Sequence, residues 1–181
     1  GLNIELVDLR FILNLIKMSD KPVVIDATAL NFIDSGIFID DFPNRAIFTP
    51  HKGELKYLSH NIKRNFSIEP IEFMDELIEN IGERCCLIKG QPNFIVNPDG
   101  TINLMNHGTP TLSTAGTGDV LSGLIGGLLS QGYTEQNAMI VGSWIHAESA
   151  LIFAENFGSI GMIATDLLEF TNTQTRSEMF Q

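Results

Sequence analysis

Apolar residues recur at helical spacing near the start of the chain: over 4–17, Leu6, Leu9, Leu13 and Ile16 fall on one face, with polar residues between them. Lys21-Pro22 interrupts that pattern, because proline cannot continue a helix. Residues 23–25 (Val-Val-Ile) then read as a buried strand ending at Asp26, and a short helix is expected over 29–33. A second strand over 46–48 runs into Thr49-Pro50, which reads as an N-cap followed by proline at the first helical position. Gly53 is a poor residue inside such a helix, so close approach of another group to the backbone is expected there.

Ile71, Met74, Leu77, Ile78 and Ile81 mark an amphipathic helix over 71–82, and residues 85–88 read as a strand that reaches Lys89-Gly90. Strands over 94–96 and 101–104, joined by Asn97-Pro98-Asp99-Gly100, predict a hairpin. Helices are expected at 118–131, 135–156 and 164–171, the last opened by Thr165-Asp166. No repeat, low-complexity tract or linker interrupts this order. Strands alternating with helices, plus one hairpin, predict an α/β domain of three layers around a mostly parallel sheet.

Composition narrows the partners. The 181 residues suffice for one domain with a full core, and 44% apolar with 18% charged residues excludes a disordered chain. Lys and Arg number 11 against 22 Asp and Glu, a formal charge of −11, which argues against nucleic acid or an anionic membrane as a non-specific partner. The most apolar stretch, 120–129, is too short to span a bilayer. The two cysteines, Cys85 and Cys86, are adjacent and point to opposite sides of a strand; they offer neither a disulfide framework nor a metal quartet, and suit a cytoplasmic setting.

The segment richest in candidate chemistry is Thr114-Ala115-Gly116-Thr117-Gly118-Asp119, directly ahead of an apolar helix. Its glycines allow a sharp turn, and a helix start carries roughly half a positive charge with free N–H groups, a ready anion site. Asp119 in that first turn is either a positioned base or a simple cap. Gly123, Gly126 and Gly127 follow within the helix, each costing roughly 1 kcal/mol relative to alanine, so close packing against another element or a ligand is expected to offset them. Asp26, the Thr49–Glu54 segment and Lys89-Gly90 each follow a strand, and ligands of open α/β sheets collect at such carboxyl ends. Glu54 reads as a local cap or ion-pair partner, and Trp144 and His146 as core residues of the long helix.

Taken together, Asp26-Ala27-Thr28-Ala29-Leu30-Asn31, Thr49-Pro50-His51-Lys52-Gly53-Glu54, Leu87-Ile88-Lys89-Gly90 and Ala115-Gly116-Thr117-Gly118-Asp119-Val120-Leu121-Ser122-Gly123 resemble the ADP- or ATP-dependent NAD(P)H-hydrate dehydratases of the ribokinase-like superfamily. The resemblance extends to Ala164-Thr165-Asp166-Leu167-Leu168. The Thr-Pro-His-x-Gly-Glu segment is its specific part; a lone Gly-x-Gly-Asp is shared with other ribokinase-like kinases.

The resemblance implies a ribokinase-like α/β/α fold with a mostly parallel sheet and a β-hairpin. It also implies a repair reaction, in which a nucleotide phosphorylates the hydroxyl of hydrated NADH or NADPH. Loss of phosphate then regenerates NADH or NADPH, with release of AMP (from ADP) or ADP (from ATP). Under that resemblance Asp119 is the catalytic base and touches substrate, and His51 contacts the hydrated dinucleotide. Lys89, Gly90, Gln91, Pro92, Asn93 and Gly118 bind the adenine nucleotide, while Gly116, Thr117 and Gly118 form the anion hole. Mg²⁺ accompanies ADP or ATP, no protein-held metal site is expected, and a cytoplasmic homo-oligomer is implied. The family usually has a second acidic residue where Thr28 stands and a threonine where Asn93 stands. Its domain begins upstream of Gly1, so residues 1–181 are expected to form a single partial domain lacking its N-terminal portion. Two alternatives stay open: a ribokinase-like kinase of a small alcohol or vitamin precursor, and an inactive nucleotide-binding fragment serving as an assembly partner.

Overall fold

Short uninterrupted apolar runs build a central sheet. In the computed structural model, which describes residues 6–33, 37–58 and 74–178, with side chains from residue 10 to residue 171, the strands are β1 (Val23–Ile25), β2 (Ala46–Phe48), β3 (Cys85–Ile88), β4 (Asn93–Val96) and β5 (Ile102–Met105). They lie side by side in sequence order. β1 to β3 are parallel, with Ile25 opposite Phe48 and Phe48 opposite Cys86; β4 turns back antiparallel on β3, Leu87 opposite Ile95. β2 and β3 are buried along their whole length, as strands covered on both faces must be. β5 is largely exposed. The expected parallel strands and hairpin are therefore present, in one mixed sheet.

The helices are α1 (Leu6–Ser19), α2 (Met74–Ile81), α3 (Thr117–Ser130), α4 (Glu135–Phe157) and α5 (Ala164–Glu178). In α1 Leu13 is buried, whereas Phe11, Leu15 and Met18 are exposed; the side chains of Leu6 and Leu9, like Ile71 ahead of α2, lie outside the described residues. α2 buries Met74, Leu77 and Ile81 along one stripe. The short helix after β1 is a 3-10 turn over Ala27–Phe32. A 3-10 turn is tight enough to follow Asp26 directly, with Ala27 in the left-handed region at φ 49°.

One expectation is corrected. Thr49-Pro50 does not open a helix. Thr49 is fully buried and continues β2: its N–H donates to the Ile25 carbonyl at 3.0 Å, and the Pro50 carbonyl accepts from the Lys89 N–H at 2.8 Å. The parallel pairing runs on to a bridge between His51 and Lys89, and helical turns begin only at Leu55. Proline is tolerated because the ladder needs its carbonyl rather than an N–H there.

The chain divides into two compact units: Gly1–Gly90 with Phe94–Asn103, and Gln91–Asn93 with Leu104–Gln181. The core of the first gathers Ile25, Leu30, Phe42, Phe48, Leu77, Ile88 and Val96. Arg84 is buried beside it, and its guanidinium donates to the Phe42 carbonyl through Nε at 3.2 Å and Nη2 at 2.9 Å. Cys85 and Cys86 are both buried, and burial pushes the Cys86 thiol far above its ordinary pKa. The second unit is helical, with α4 packed by both α3 and α5. Gly142 makes the α3 contact close, since a Cβ there would stand 3.0 Å from Ile125 Cγ1. No helix among the described residues is long and apolar enough to cross a membrane.

Candidate active site

In the first unit, parallel strands place Asp26, His51 and Lys89 at the carboxyl ends of β1, β2 and β3. Lys89 Nζ donates to Asp26 Oδ1 at 2.7 Å, and the two side chains are only 20% and 14% exposed. Lys89 is thus neither a loose surface lysine nor a bare cation; its charge is held at the strand ends by a carboxylate 63 residues away. Local sequence marks Asp26 only as a strand terminus, so this pair was not legible.

The Thr-Pro-His-Lys-Gly-Glu segment has a physical explanation at each position. Thr49 and Pro50 extend the strand. His51 and Glu54 cap each other: the His51 N–H donates to Glu54 Oε2 at 2.9 Å, and the Glu54 N–H donates to His51 Nδ1 at 3.2 Å. Accepting at Nδ1 puts the imidazole proton on Nε2, which lies 3.6 Å from Glu54 Oε1. A Cβ on Gly53 would stand 3.0 Å from His51 Cε1, so any larger residue would make the ring shift. The close approach expected at this glycine is that of the histidine ring. His51 remains 59% exposed, oriented yet open to a ligand.

In the second unit Gly116 precedes α3 in the left-handed region, φ 88°, and a Cβ on it would stand 3.0 Å from the Ala164 methyl. Both facts require glycine. Thr117 Oγ1 lies 2.8 Å from the Leu112 carbonyl and 2.9 Å from that of Thr114, fastening the loop from below. The N–H groups of Thr117, Asp119 and Val120 donate to the carbonyls of Thr114, Gly116 and Gly116. Among the described residues none accepts from the N–H groups of Ala115, Gly116 or Gly118. Of the expected anion hole, Gly116 and Gly118 therefore keep free donors, whereas the Thr117 N–H is engaged at 3.3 Å.

Asp119 is exposed on the first turn, and among the described residues its carboxylate accepts no hydrogen bond. It caps nothing: α3 begins without any side-chain cap. Beside it a cavity of about 450 Å³ runs along α3 past Gly123 and Gly127 to Gln131, with Ile145 and Leu168 on its walls. Packing against another element does not account for the glycines, since nothing lies within 4 Å of a Cβ built on Gly123, Gly126 or Gly127.

The other nucleotide-site candidates lie along the chain after β3. Gly90 and Gln91 are exposed, Pro92 follows a cis Gln91–Pro92 peptide, and Asn93 begins β4 half-buried. Asp26, His51 and Lys89 are thus brought together in the first unit, and Gly116, Thr117, Gly118 and Asp119 in the second. The sequence reads His146 as a core residue, and the structure agrees. It is buried in α4, with Nε2 2.9 Å from the Thr117 carbonyl. Among the described residues no group of three His, Cys, Asp or Glu side chains could hold a metal ion.

The mixed α/β sheet with polar strand ends and a glycine loop opening a helix has the ribokinase-like fold, as the solved structures it superposes on show. A ribokinase-like superfamily protein from Enterococcus faecalis superposes with a TM-score of 0.77 over 97% of this chain and 61% of that one, at 20% identity. A Bacillus subtilis ADP/ATP-dependent NAD(P)H-hydrate dehydratase co-crystallised with ATP/Mg²⁺ gives 0.70 over 91% and 58%, at 24% identity. Within that class, residues 3–173 match the NAD(P)H-hydrate dehydratase family, and the chain belongs to it. It is 31% identical over 160 residues to a bifunctional NAD(P)H-hydrate repair enzyme from Dictyoglomus turgidum, covering 88% of this chain and 31% of that protein. To an ADP-dependent (S)-NAD(P)H-hydrate dehydratase from Neisseria meningitidis it is 31% identical over 157 residues, covering 84% and 53%. The chain thus spans about half or less of the length of these relatives.

Proposed function

We propose that residues 1–181 are part of a single ribokinase-like domain that dehydrates hydrated NADH or NADPH at the expense of ADP or ATP. The observation that carries this reading is the family match over residues 3–173. The geometry supports it. Hydroxide is a poor leaving group, so the hydroxyl must first be converted to phosphate. Asp119, whose carboxylate accepts no hydrogen bond among the described residues, takes the hydroxyl proton as the substrate oxygen attacks the terminal phosphorus. The bond to the bridging oxygen breaks, releasing AMP from ADP or ADP from ATP. Phosphate then leaves the ester with the C–O electron pair, and loss of a proton from the neighbouring ring carbon restores the dihydronicotinamide.

Phosphoryl transfer needs positioning and charge neutralisation more than covalent help. The free N–H groups of Gly116 and Gly118 suit the terminal phosphate, Lys89 through Asn93 suit the nucleotide, and His51 suits the hydrated dinucleotide. Mg²⁺ is expected to arrive on the nucleotide phosphates, its usual mode of binding, and to neutralise their charge; no side chain is assigned to it. The direct test supplies hydrated NADH with Mg²⁺ and either ADP or ATP and follows the return of reduced-nicotinamide absorbance. Nucleotide binding without that return would leave the binding-module alternative in its place.

A further inference from the structure

His146 is a buried titratable group outside the residues assigned so far, and its Nε2 hydrogen bond reaches the glycine loop. Its imidazole is 6% exposed, and Nε2 lies 2.9 Å from the carbonyl oxygen of Thr117. A carbonyl can only accept, so Nε2 carries the proton and donates. The helical ladder uses one lone pair of such a carbonyl, leaving the second for the imidazole. That oxygen belongs to the peptide unit whose N–H is the Gly118 amide, and a peptide unit is planar and rigid. Holding the oxygen therefore fixes the direction of the N–H on the opposite side of the same plane. It is one of the loop donors that no described residue engages. A donor at the oxygen also polarises the amide and strengthens its N–H as a donor.

We propose that His146 is a positioning residue for the anion site: through the Thr117–Gly118 peptide it aims and polarises the Gly118 N–H at the phosphoryl group. The affinity arm of this inference rests on the nucleotide reading above; the orientation of the peptide does not. Gly142, one turn earlier on α4, gives the close approach to α3 that brings the imidazole within reach. Ser143 and Ile145, its neighbours along α4, are buried as well.

The experiment compares His146→Leu, which fills the space without a donor, with His146→Gln, whose amide nitrogen can stand where Nε2 does. Three readouts are taken on the full chain: thermal melting, ADP titration with Mg²⁺ by calorimetry, and amide hydrogen exchange over 114–124. His146→Leu is expected to stay folded, exchange faster at 114–124 and bind ADP roughly tenfold more weakly, the scale of one hydrogen bond to a charged group. His146→Gln is expected to restore both. Wild-type exchange and affinity in His146→Leu would overturn the inference. So would unfolding of both variants, or a Gln variant no better than Leu, since these make His146 a packing residue only. If the wild type binds no ADP while exchange responds as described, the nucleotide reading fails and the positioning role stands.

Discussion

Replacing Lys89 with methionine keeps the aliphatic stem and deletes the ammonium, so the Asp26 carboxylate, 14% exposed, loses the cation 2.7 Å away. Breaking an exposed pair costs at most about 1 kcal/mol, and removing one partner of a buried pair about 3–5 kcal/mol. With at least four-fifths of both side chains covered, the pair lies nearer the buried limit, and Lys89→Met is expected to cost about 2–3 kcal/mol. For a chain of this size that lowers Tm by roughly 4–12 °C. Asp26→Asn on the Lys89→Met background removes the stranded charge and should recover more than half of the loss. Urea unfolding of the wild type, both single variants and the double variant closes the cycle, with a coupling of about 1–2 kcal/mol expected.

The same four proteins separate stability from binding. If Lys89 also meets a phosphate, Lys89→Met weakens ADP binding by roughly 10-fold or more, whereas Asp26→Asn, which leaves the ammonium in place, does not. Coupling below about 0.5 kcal/mol would refute the stabilising role of the pair. Wild-type ADP affinity in a folded Lys89→Met would refute the nucleotide contact.

Asp119→Asn should lower turnover at least roughly 100-fold with ADP affinity and Tm nearly unchanged, because the carboxylate supports no hydrogen bond among the described residues; near-normal turnover would remove it from the mechanism. Gly53→Ala should displace the His51 ring, raising the KM for hydrated NADH while changing stability by less than about 1 kcal/mol, read by steady-state kinetics beside a melt. Gly116→Ala, at φ 88° and 3.0 Å from the Ala164 methyl, should destabilise by about 1–3 kcal/mol and abolish calorimetric ADP binding; an unchanged melt would show that the loop can flatten. Ser143→Ala should raise stability by about 1 kcal/mol in urea unfolding, since the Ser143 hydroxyl is buried with no hydrogen-bond partner among the described residues.

What could be read from the chain depended on the range of the contact. The strands at 23–25, 46–48 and 85–88 are continuous apolar runs, and the hairpin turn carries Pro98 and Gly100, signals that need no distant partner. Thr49-Pro50 satisfies the local rule for a helix start. What overrides it is the Lys89 N–H, which takes the Pro50 carbonyl into the sheet. Lys89 with Asp26 and His146 with Thr117 lie 63 and 29 residues apart, and nothing in either local pattern names its partner. The α3 glycines show the opposite failure: their cost is legible, but the open cavity beside Gly123 and Gly127 is a property of folded neighbours.

The charge of the chain explains why the two halves of the candidate chemistry are built so differently. A protein of net charge −11 repels a polyanionic nucleotide at a distance, so attraction must come from groups that act at contact. In the first unit the partly buried Lys89 ammonium is already paired with Asp26, which makes it a fixed donor rather than a source of long-range field. In the second unit the proposed attraction rests on peptide N–H groups, whose partial charges are set by the backbone and not by protonation. That leaves Asp119 as the one ionisable group on the first turn of α3. A carboxylate spent on capping would have its oxygens occupied by backbone N–H groups. Gly116 begins the helix without a side-chain cap, and among the described residues the Asp119 carboxylate accepts no hydrogen bond, which the proposed mechanism uses to keep both oxygens for a substrate hydroxyl. Under the proposed mechanism, the uncapped helix start leaves Asp119 to act as the base and the Gly116 amide to meet the phosphate.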